Sequence, residues 1–316
     1  MVGRRALTRY ASRHLAQAVL SVFGVVTLTF LVLRITGNPV NVLLPPNATS
    51  HQRAQLIRQL GLNSSVLAQY VRFLDQVVHG RFGESIVGGG NAATLVLSQM
   101  KPSLELIGIT IVAATVIGLL GAVAAVSTQG RFLDRAITSL AAVAQAMPSF
   151  WLALLLILVF AVHLAVLPAT GMTGVSSIVL PVATLTVALV PYVLRVARSS
   201  ILETFREDFI RFQVARGIPA RSILFKHALR SSLAPVVAMI GLQTGLLLSG
   251  VVVIEQIFGR SGIGRLLLTA ILQRNYPVVQ AAVIAIAIVV VLANLLADLL
   301  IAALDPRVRL AHGSAT

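Results

Sequence analysis

Apolar residues are concentrated in six long runs that are separated by more polar segments. The hydrocarbon core of a bilayer is about 30 Å thick, and an α-helix needs about 20 mostly apolar residues to cross it. Three of the runs contain Pro148, Pro191 or Pro235, and membrane helices tolerate proline where neighbouring groups satisfy the freed backbone carbonyls. The pattern therefore predicts six transmembrane helices, at residues 14–35, 104–126, 137–160, 178–197, 233–256 and 278–304.

Two of the connections between these runs are long. Residues 36–103 contain two short amphipathic stretches, which predict helices at 51–60 and 64–79, and Asn63-Ser64 is the N-cap signal for the second. The glycine-rich strip that follows, RFGESIVGGGN, predicts a series of turns. The other long connection covers residues 257–277.

The composition also indicates that much of the surface faces lipid. Hydrophobic residues make up 57% of the 316-residue chain and charged residues 11%, whereas soluble domains have about 25% charged residues. The absence of cysteine excludes disulfides, thiolate nucleophiles and Cys-ligated metals. The net charge of +15 would suit a nucleic-acid partner, but in a membrane protein a basic excess is expected on cytoplasmic loops.

The distribution of lysine and arginine predicts that both termini lie inside the cell. With that orientation, sixteen of the 25 basic residues fall on inner segments and eight on outer ones. Four arginines precede the first span, as in a signal peptide. The apolar run is long, however, and no small-residue cleavage site follows, so we interpret the first span as a retained signal-anchor.

The inner segment at residues 207–230, EDFIRFQVARGIPARSILFKHALR, is the most charged part of the chain. Phe205, Phe209 and Phe212 recur at helical spacing, which predicts one aromatic stripe on a short helix, with Glu207, Asp208 and Arg211 around it. Gly217 is expected at the position just after the helix, and Pro219 as the first residue of the next helix. The sequence thus predicts two short helices joined by a sharp elbow at the inner membrane surface.

Three interpretations of this segment remain open from its residues alone. It is an amphipathic helix on lipid headgroups, a docking element for a cytoplasmic protein, or a basic patch for nucleic acid. Arginine and lysine favour anionic lipid, whereas the acidic residues Glu203, Glu207 and Asp208 oppose it. Aromatic anchors among charges of both signs are typical of protein docking.

A few polar residues in or near the predicted spans are candidates for a transport pathway or gate. Asp298 follows Asn294 by one helical turn, and an ionised group inside a membrane helix should face protein or water. A hydrogen bond between helices is the alternative for this pair. Glu255 is expected near the outer membrane interface, where an ionised group costs little free energy. We predict no catalytic residue and no metal site, since the histidines show no ligand spacing.

Many ordered motifs resemble those of one protein family. They include RITGNPV, QLGLNSSVLAQY, HGRFGESI, AMPSFW, ARSSILETFREDFIRFQVARG, GLQTGLLLSGVVVIEQIF, GIGRLLLTAI and DPRVR. In this order they resemble the ABC importer permeases, and specifically the B-type membrane subunit of the dipeptide, oligopeptide and nickel transport family. The inner loop of such families carries a Glu-Ala-Ala pattern, with Gly four residues later. Gly217 matches that glycine, but Arg211, Phe212 and Gln213 replace the preceding triplet.

The resemblance implies an all-α integral membrane protein with six transmembrane helices. Its parts would be a basic segment and first helix (1–35), an extracytoplasmic insertion (36–103), a five-helix permease core (104–305) containing a coupling loop (198–230), and a cytoplasmic tail (306–316). The coupling helix would cover 204–218, and its contacts with the ATPase would use Phe205, Glu207, Asp208, Phe209, Arg211, Phe212 and Gly217.

The resemblance also implies the partners and the place of action. These would be a second homologous permease subunit, two ATP-binding cassette subunits holding ATP and Mg, an extracytoplasmic substrate-binding protein and the lipid of a bacterial cytoplasmic membrane, but no nucleic acid. This chain would hold no cofactor, and it lacks the G-x-x-x-x-G-K-[ST] phosphate-binding motif. Peptides are the expected substrate, and nickel complexes, glutathione or haem are the alternatives. A secondary transporter and an intramembrane enzyme are the other function classes.

Overall fold

The computed structural model describes residues 2–36, 44, 48–59, 63–171 and 174–304, and these residues are almost entirely helical. The predicted cytoplasmic tail at 306–316 lies outside this part of the chain. Over the described residues no strand forms, and Glu84 and Asn91 make an isolated antiparallel bridge. The helices are α1 (Val2–Thr36), α2 (Ser50–Gln59), α3 (Val66–Val78), α4 (Ala92–Ser127), α5 (Phe132–Ala146), α6 (Ser149–Leu156, continued by a π-helical segment, Ile157–His163), α7 (Ser176–Phe205), α8 (Asp208–Ala215), α9 (Ala220–Ile223, continued by a π-helical segment, Leu224–Ala228), α10 (Leu229–Ile257), α11 (Ile263–Leu272) and α12 (Tyr276–Leu304).

Five of the six predicted spans are confirmed as long apolar helices. They are Ala16–Ile35 within α1, α4, α7, the continuous Ala220–Ile257 stretch that contains α10, and α12. Each has at least the length of about 20 residues that is needed to cross a bilayer. The α4 helix begins at Ala92, twelve residues before the predicted span, because Pro102 lies inside the helix without ending it.

The third predicted span is not one continuous helix but a bent helix pair, which together is long and apolar enough to count as a sixth, broken span. The α5 and α6 helices replace it, and they meet at an angle of 102°. Met147 is extended (φ −81°, ψ 125°), and so is Pro148 (φ −59°, ψ 133°), so two successive residues leave the helical path. The ring of a proline disfavours helical geometry at the preceding residue, which explains the break at Met147. Pro191 and Pro235 instead remain inside continuous helices.

The described residues form two compact units. Among the described residues, one contains Leu104–Arg260 together with residues 2–14 and 292–304. Its centre is α7, whose buried residues include Val193 and Ile201. Gly118 of α4 lies directly against Val193: a Cβ added at Gly118 would be 2.6 Å from the Val193 Cβ. Small residues allow such close approach of helices in lipid, where packing rather than water drives association.

The other unit contains Leu15–Ser103 and Ser261–Val291. In one part of it Val26, Phe73 and Ile284 form a buried cluster, which holds α3 against α1 and α12. The hydroxyls of Thr27 and Tyr70 are 2.6 Å apart. The predicted N-cap of α3 is displaced: Ser65, not the Asn63-Ser64 pair, accepts the hydrogen bond from the Ala68 backbone N–H, at 3.3 Å.

A second part of this unit contains a helix that the hydrophobic pattern did not predict. The α11 helix lies in the connection at 257–277, and its residues Ile263 and Ala270 pack with Val96 of α4 and Val278 of α12. The Ile263 backbone N–H donates to the Ser103 hydroxyl at 2.9 Å, which satisfies one of the free donors at the start of α11.

The predicted turn-rich strip is confirmed, and one buried side chain holds it in place. Gly83 and the three glycines at 88–90 all have positive φ, which glycine adopts most readily. Asn275 donates to the Ser85 hydroxyl at 2.7 Å and accepts from the Ile86 N–H at 3.2 Å. Since Asn275 is almost fully buried, these bonds are shielded from water.

Candidate functional site

The charged elbow, defined here as residues 206–219, begins where α7 ends. The N–H groups of Arg206 and Glu207 turn back onto the carbonyls of Glu203 and Thr204, at 2.9 and 3.1 Å. Glu207 is extended, so the helix cannot continue through it. The single aromatic stripe predicted from Phe205 is therefore wrong: Phe205 is the last residue of α7 and is half-buried, while the other two phenylalanines belong to α8.

The α8 helix has one buried residue and an exposed aromatic face. Ile210 is 1% exposed and anchors the helix to the protein, whereas Phe209 and Phe212 are 44% and 64% exposed. Asp208 and Arg211 form an exposed ion pair at 3.4 Å, which contributes little to stability because water screens it. Two exposed phenylalanines beside charges of both signs make a surface suited to another protein.

The turn at Gly217 confirms the predicted end of the short helix. Gly217 has φ +80°, and its N–H donates to the Val214 carbonyl at 2.9 Å, while the Ile218 N–H donates to the Gln213 carbonyl at 3.2 Å. These two bonds make a Schellman motif, which needs the left-handed conformation that glycine supplies. Pro219 is displaced by one position from the prediction: it is the extended N-cap of α9 rather than its first helical residue.

Side-chain contacts connect the two arms of the elbow. The rings of Phe209 and His227 are 6.4 Å apart in an edge-on arrangement, which joins α8 to the π-helical segment after α9. The Arg216 guanidinium lies 5.7 Å from the centre of the Phe212 ring. A hydrogen bond of 2.7 Å between the hydroxyls of Thr204 and Ser231 joins the ends of α7 and α10. The α8 helix is therefore held against the segment that leads into α10, and the ends of α7 and α10 are held to each other.

Sequence reasoning missed an ion pair beside the elbow. Arg198 of α7 contacts both oxygens of Asp134 in α5, at 3.2 and 3.1 Å, and Asp134 also accepts from the Gly130 N–H at 3.1 Å. The two side chains are mostly buried, so neither charge is fully screened by water. The partners are 64 residues apart in sequence, and no local pattern connects them.

The candidate pathway residues lie in the unit centred on α7. Asn294 is exposed and Asp298 half-buried, one turn apart on α12. This helix packs closely on α10, since a Cβ added at Gly241 would be 2.8 Å from the Ala297 Cβ and 3.6 Å from the Asn294 amide oxygen. The Asn294 side chain therefore points toward a neighbouring helix.

Glu255 differs from its prediction, because it is only 1% exposed instead of lying in an interfacial environment. The residues that follow it, Phe258 and Arg260, are buried as well, so protein covers this end of α10. Within residues 16–35, 48–59, 63–171 and 174–304, no group of three or more His, Cys, Asp or Glu side chains is placed to hold a metal ion.

Comparison with protein families and individual proteins places these features in context. Residues 114–310 match the model of the family described as "binding-protein-dependent transport system inner membrane component". The chain is 33% identical to the "Probable peptide ABC transporter permease protein y4tP" of Sinorhizobium fredii, over 95% of this chain and 99% of that protein. It is 31% identical to the oligopeptide transport system permease protein AppB of Bacillus subtilis, and 33% identical to the glutathione transport system permease protein GsiC of Escherichia coli. Each of these two alignments covers 96% of this chain and 99% of the relative.

Solved structures support the same fold. The MetNI methionine ABC transporter, in inward-facing conformations, superposes with a TM-score of 0.57 at 20% identity. The superposition covers 67% of this chain and 96% of the MetNI chain. An amino acid ABC transporter with histidines superposes with a TM-score of 0.50 at 16% identity, over 68% of this chain.

Proposed function

Because this chain belongs to the family of inner membrane components of binding-protein-dependent transport systems, we propose that it is the permease subunit of an ATP-driven importer of peptides. The family membership rests on the match over residues 114–310 and on the relatives aligned over nearly the whole chain. The chain is a multi-pass membrane subunit and not an enzyme. A second permease and two ATPase subunits complete the importer, and an external binding protein delivers the substrate.

The α8 helix is the element that receives energy from ATP hydrolysis. Phe209 and Phe212 insert into a groove of an ATPase subunit, and Glu207, Asp208 and Arg211 surround them and fix the orientation. The observation that carries this assignment is the exposed aromatic face of α8 over the buried anchor Ile210. ATP and Mg bind to the ATPase subunits, since this chain has no phosphate-binding loop motif.

Gly217 and Phe205 contribute to coupling by fixing the geometry of the elbow and not by contacting the ATPase. Gly217 gives α8 its fixed angle to α9, and half-buried Phe205 ends α7 beside the elbow. Packed elements switch between discrete arrangements rather than flex. Movement of α8 with the ATPase is therefore passed to α7 and α10, which alternates the pathway between inward-open and outward-open forms.

The importer lies in a bacterial cytoplasmic membrane with both termini of this chain inside. The excess of arginine and lysine on the segment that contains the elbow supports this orientation. Residues 36–103 then form an extracytoplasmic insertion. Asn294, Asp298 and Glu255 are the polar residues from which this chain contributes to the pathway or its gate.

Peptides are the substrate class that the names of the relatives favour. The relatives named for peptides and oligopeptides support this assignment, and the relative named for glutathione favours a second candidate, glutathione itself. Both are small and carry ammonium and carboxylate groups, which suits a pathway with few but well-placed polar side chains.

The proposal is tested by uptake in reconstituted liposomes. The complex is purified through a tag on this chain, its subunits are identified by mass spectrometry, and it is supplied with the binding protein and ATP. We expect uptake of a labelled dipeptide or tetrapeptide that stops when ATP is omitted. ATP-dependent uptake of glutathione alone would select the second candidate. A chain that purifies without any ATPase subunit and transports nothing with ATP would contradict the proposal.

A further inference from the structure

A cavity of about 410 Å³ opens between α5 and α7, next to the elbow. Its volume falls within the range of pockets that hold small ligands. Three arginines line it together with a single acid, Glu203: Arg195 and Arg198 of α7, and Arg206, which directly follows that helix. The lining therefore carries an excess of positive charge in a chain that has few charged residues. A cavity with this charge favours an anion.

Contacts within the protein hold two of these arginines in place. Arg198 uses Nε and Nη2 on Asp134, which leaves its Nη1 group for another acceptor. Arg195 donates a hydrogen bond to the side-chain oxygen of Gln145 in α5. Guanidinium groups held in fixed positions bind phosphate well, because their planar N–H groups match two oxygens at once.

The third arginine is available for a ligand. Arg206 is exposed, and among the described residues its guanidinium has no hydrogen-bond or ion-pair partner. Glu203, the one acid of the lining, accepts a hydrogen bond from the Ser199 hydroxyl at 3.2 Å. A bound anion would therefore meet the unpaired guanidinium of Arg206, whereas the Glu203 carboxylate already accepts a hydrogen bond from Ser199.

Part of the lining is apolar, beside the hydroxyl groups of Thr138 and Ser199. Ala141, Ala142 and Leu194 line the cavity. A free phosphate would gain nothing from these side chains, whereas the acyl chains of a lipid would cover them. Basic pockets between transmembrane helices on the cytoplasmic side are known to hold anionic lipid headgroups.

From these observations we propose that the cavity between α5 and α7 is a binding site for an anionic phospholipid, with the phosphate on Arg195, Arg198 and Arg206 and the acyl chains along α5. The site lies within one chain and does not use the proposed docking face of α8. The proposal therefore stands independently of the substrate and of the ATPase contacts.

The test measures lipid retention by the full-length chain, alone and in its complex, in mild detergent by native mass spectrometry. Dimyristoyl phosphatidylglycerol is titrated against dimyristoyl phosphatidylcholine, which has the same chains and a zwitterionic headgroup. We expect one phosphatidylglycerol to bind in preference to phosphatidylcholine. Arg206→Gln should weaken that binding roughly fivefold, and a double variant with Arg195→Gln more than twentyfold.

Matched variants separate a site from a general attraction of charge. Arg221→Gln removes an exposed arginine outside the cavity lining and should leave lipid retention unchanged. Arg206→Lys keeps the charge but not the paired N–H geometry, so its loss should be intermediate. The single Arg206→Gln variant breaks no contact within the protein, which keeps the test valid if the double variant misfolds.

Three results would overturn the proposal. Equal retention of both lipids by the wild-type chain would show that there is no anionic site. An equal loss in Arg221→Gln and Arg206→Gln would show attraction to overall charge. Displacement of phosphatidylglycerol by millimolar inorganic phosphate or by a dipeptide would show that the cavity takes a free anion or the carboxylate of a substrate. The measurement on the chain alone gives its answer even if no importer complex is found.

Discussion

Replacing Gly217 with valine should uncouple ATP hydrolysis from uptake while the complex still assembles. Gly217 has φ +80°, and nothing lies within 4 Å of a Cβ built on it, so the added side chain meets no steric obstacle. The effect is therefore purely conformational. A non-glycine residue in the left-handed region costs about 1–2 kcal/mol, and a β-branched residue is an outlier there.

This conformational free-energy cost applies to the native form of the elbow and not to rearranged forms, in which residue 217 leaves the left-handed region. A difference of about 1–2 kcal/mol lowers the ratio of the native elbow to rearranged forms roughly 5- to 30-fold. The two hydrogen bonds of the Schellman motif are lost in the rearranged forms, and α8 is then no longer held at a fixed angle to α9. We expect peptide uptake per ATP hydrolysed to fall by about the same factor.

The assay measures uptake of a labelled dipeptide and release of phosphate in the same liposomes. Gly217→Asn should retain most of the coupling, because asparagine tolerates the left-handed region, and Gly217→Ala should lie between asparagine and valine. Gly80→Val is the matched control, since Gly80 has φ +65° and equally open surroundings but lies outside the elbow. Normal coupling in Gly217→Val, or an equal loss in Gly80→Val, would refute the reasoning.

Three further predictions concern other parts of the same unit. Phe212→Asp should release the ATPase subunits in a pull-down whereas Phe212→Leu should keep them, and retention by both variants would favour the lipid-surface interpretation of α8. Gly118→Ala should lower the melting temperature of the purified chain, because overpacking against α7 costs about 1–3 kcal/mol, whereas Gly108→Ala on the same helix meets open space and should have no such effect. Asp134→Asn should destabilise the chain by leaving Arg198 without its charged partner, and most of that loss should disappear in the Arg198→Gln background; additive effects in the double-mutant cycle would contradict a direct coupling.

The parts of the fold that sequence predicted are those with a strong local cause. A run of 20 apolar residues has few alternatives to a membrane helix, and five such spans were confirmed. The end of the short helix at Gly217 was predicted correctly, because glycine readily adopts the conformation that ends a helix and the proline two residues later cannot continue it. The α2 and α3 helices were found within one or two residues of their bounds for the same reason, through their amphipathic period.

The errors arose where tertiary contacts decide between local alternatives. Of Pro148, Pro191 and Pro235, which occur in similar apolar runs, only Pro148 breaks its helix, with Met147 extended before it. The stripe that included Phe205 assumed one uninterrupted helix, whereas Glu207 is extended and separates α7 from α8. Burial of Glu255 depends on chain that is remote in sequence, so hydropathy near the end of α10 could not indicate it.

The ion pair and the cavity beside it have a consequence for how the elbow acts. Arg195 and Arg198 lie on the last three turns of α7, and Arg206 follows that helix as the first residue of the elbow. Arg198 fixes this end of α7 to Asp134 of α5, and Thr204 fixes it to Ser231 of α10. A displacement of α8 therefore cannot be absorbed by bending the end of α7 alone, because it would break a mostly buried ion pair. The displacement must move α5, α7 and α10 together. A lipid bound between α5 and α7 would further restrict the movement of these two helices relative to each other. Measuring uptake per ATP in liposomes with and without phosphatidylglycerol separates these contributions: the Arg206→Gln variant should lose the stimulation by that lipid that the wild-type chain shows.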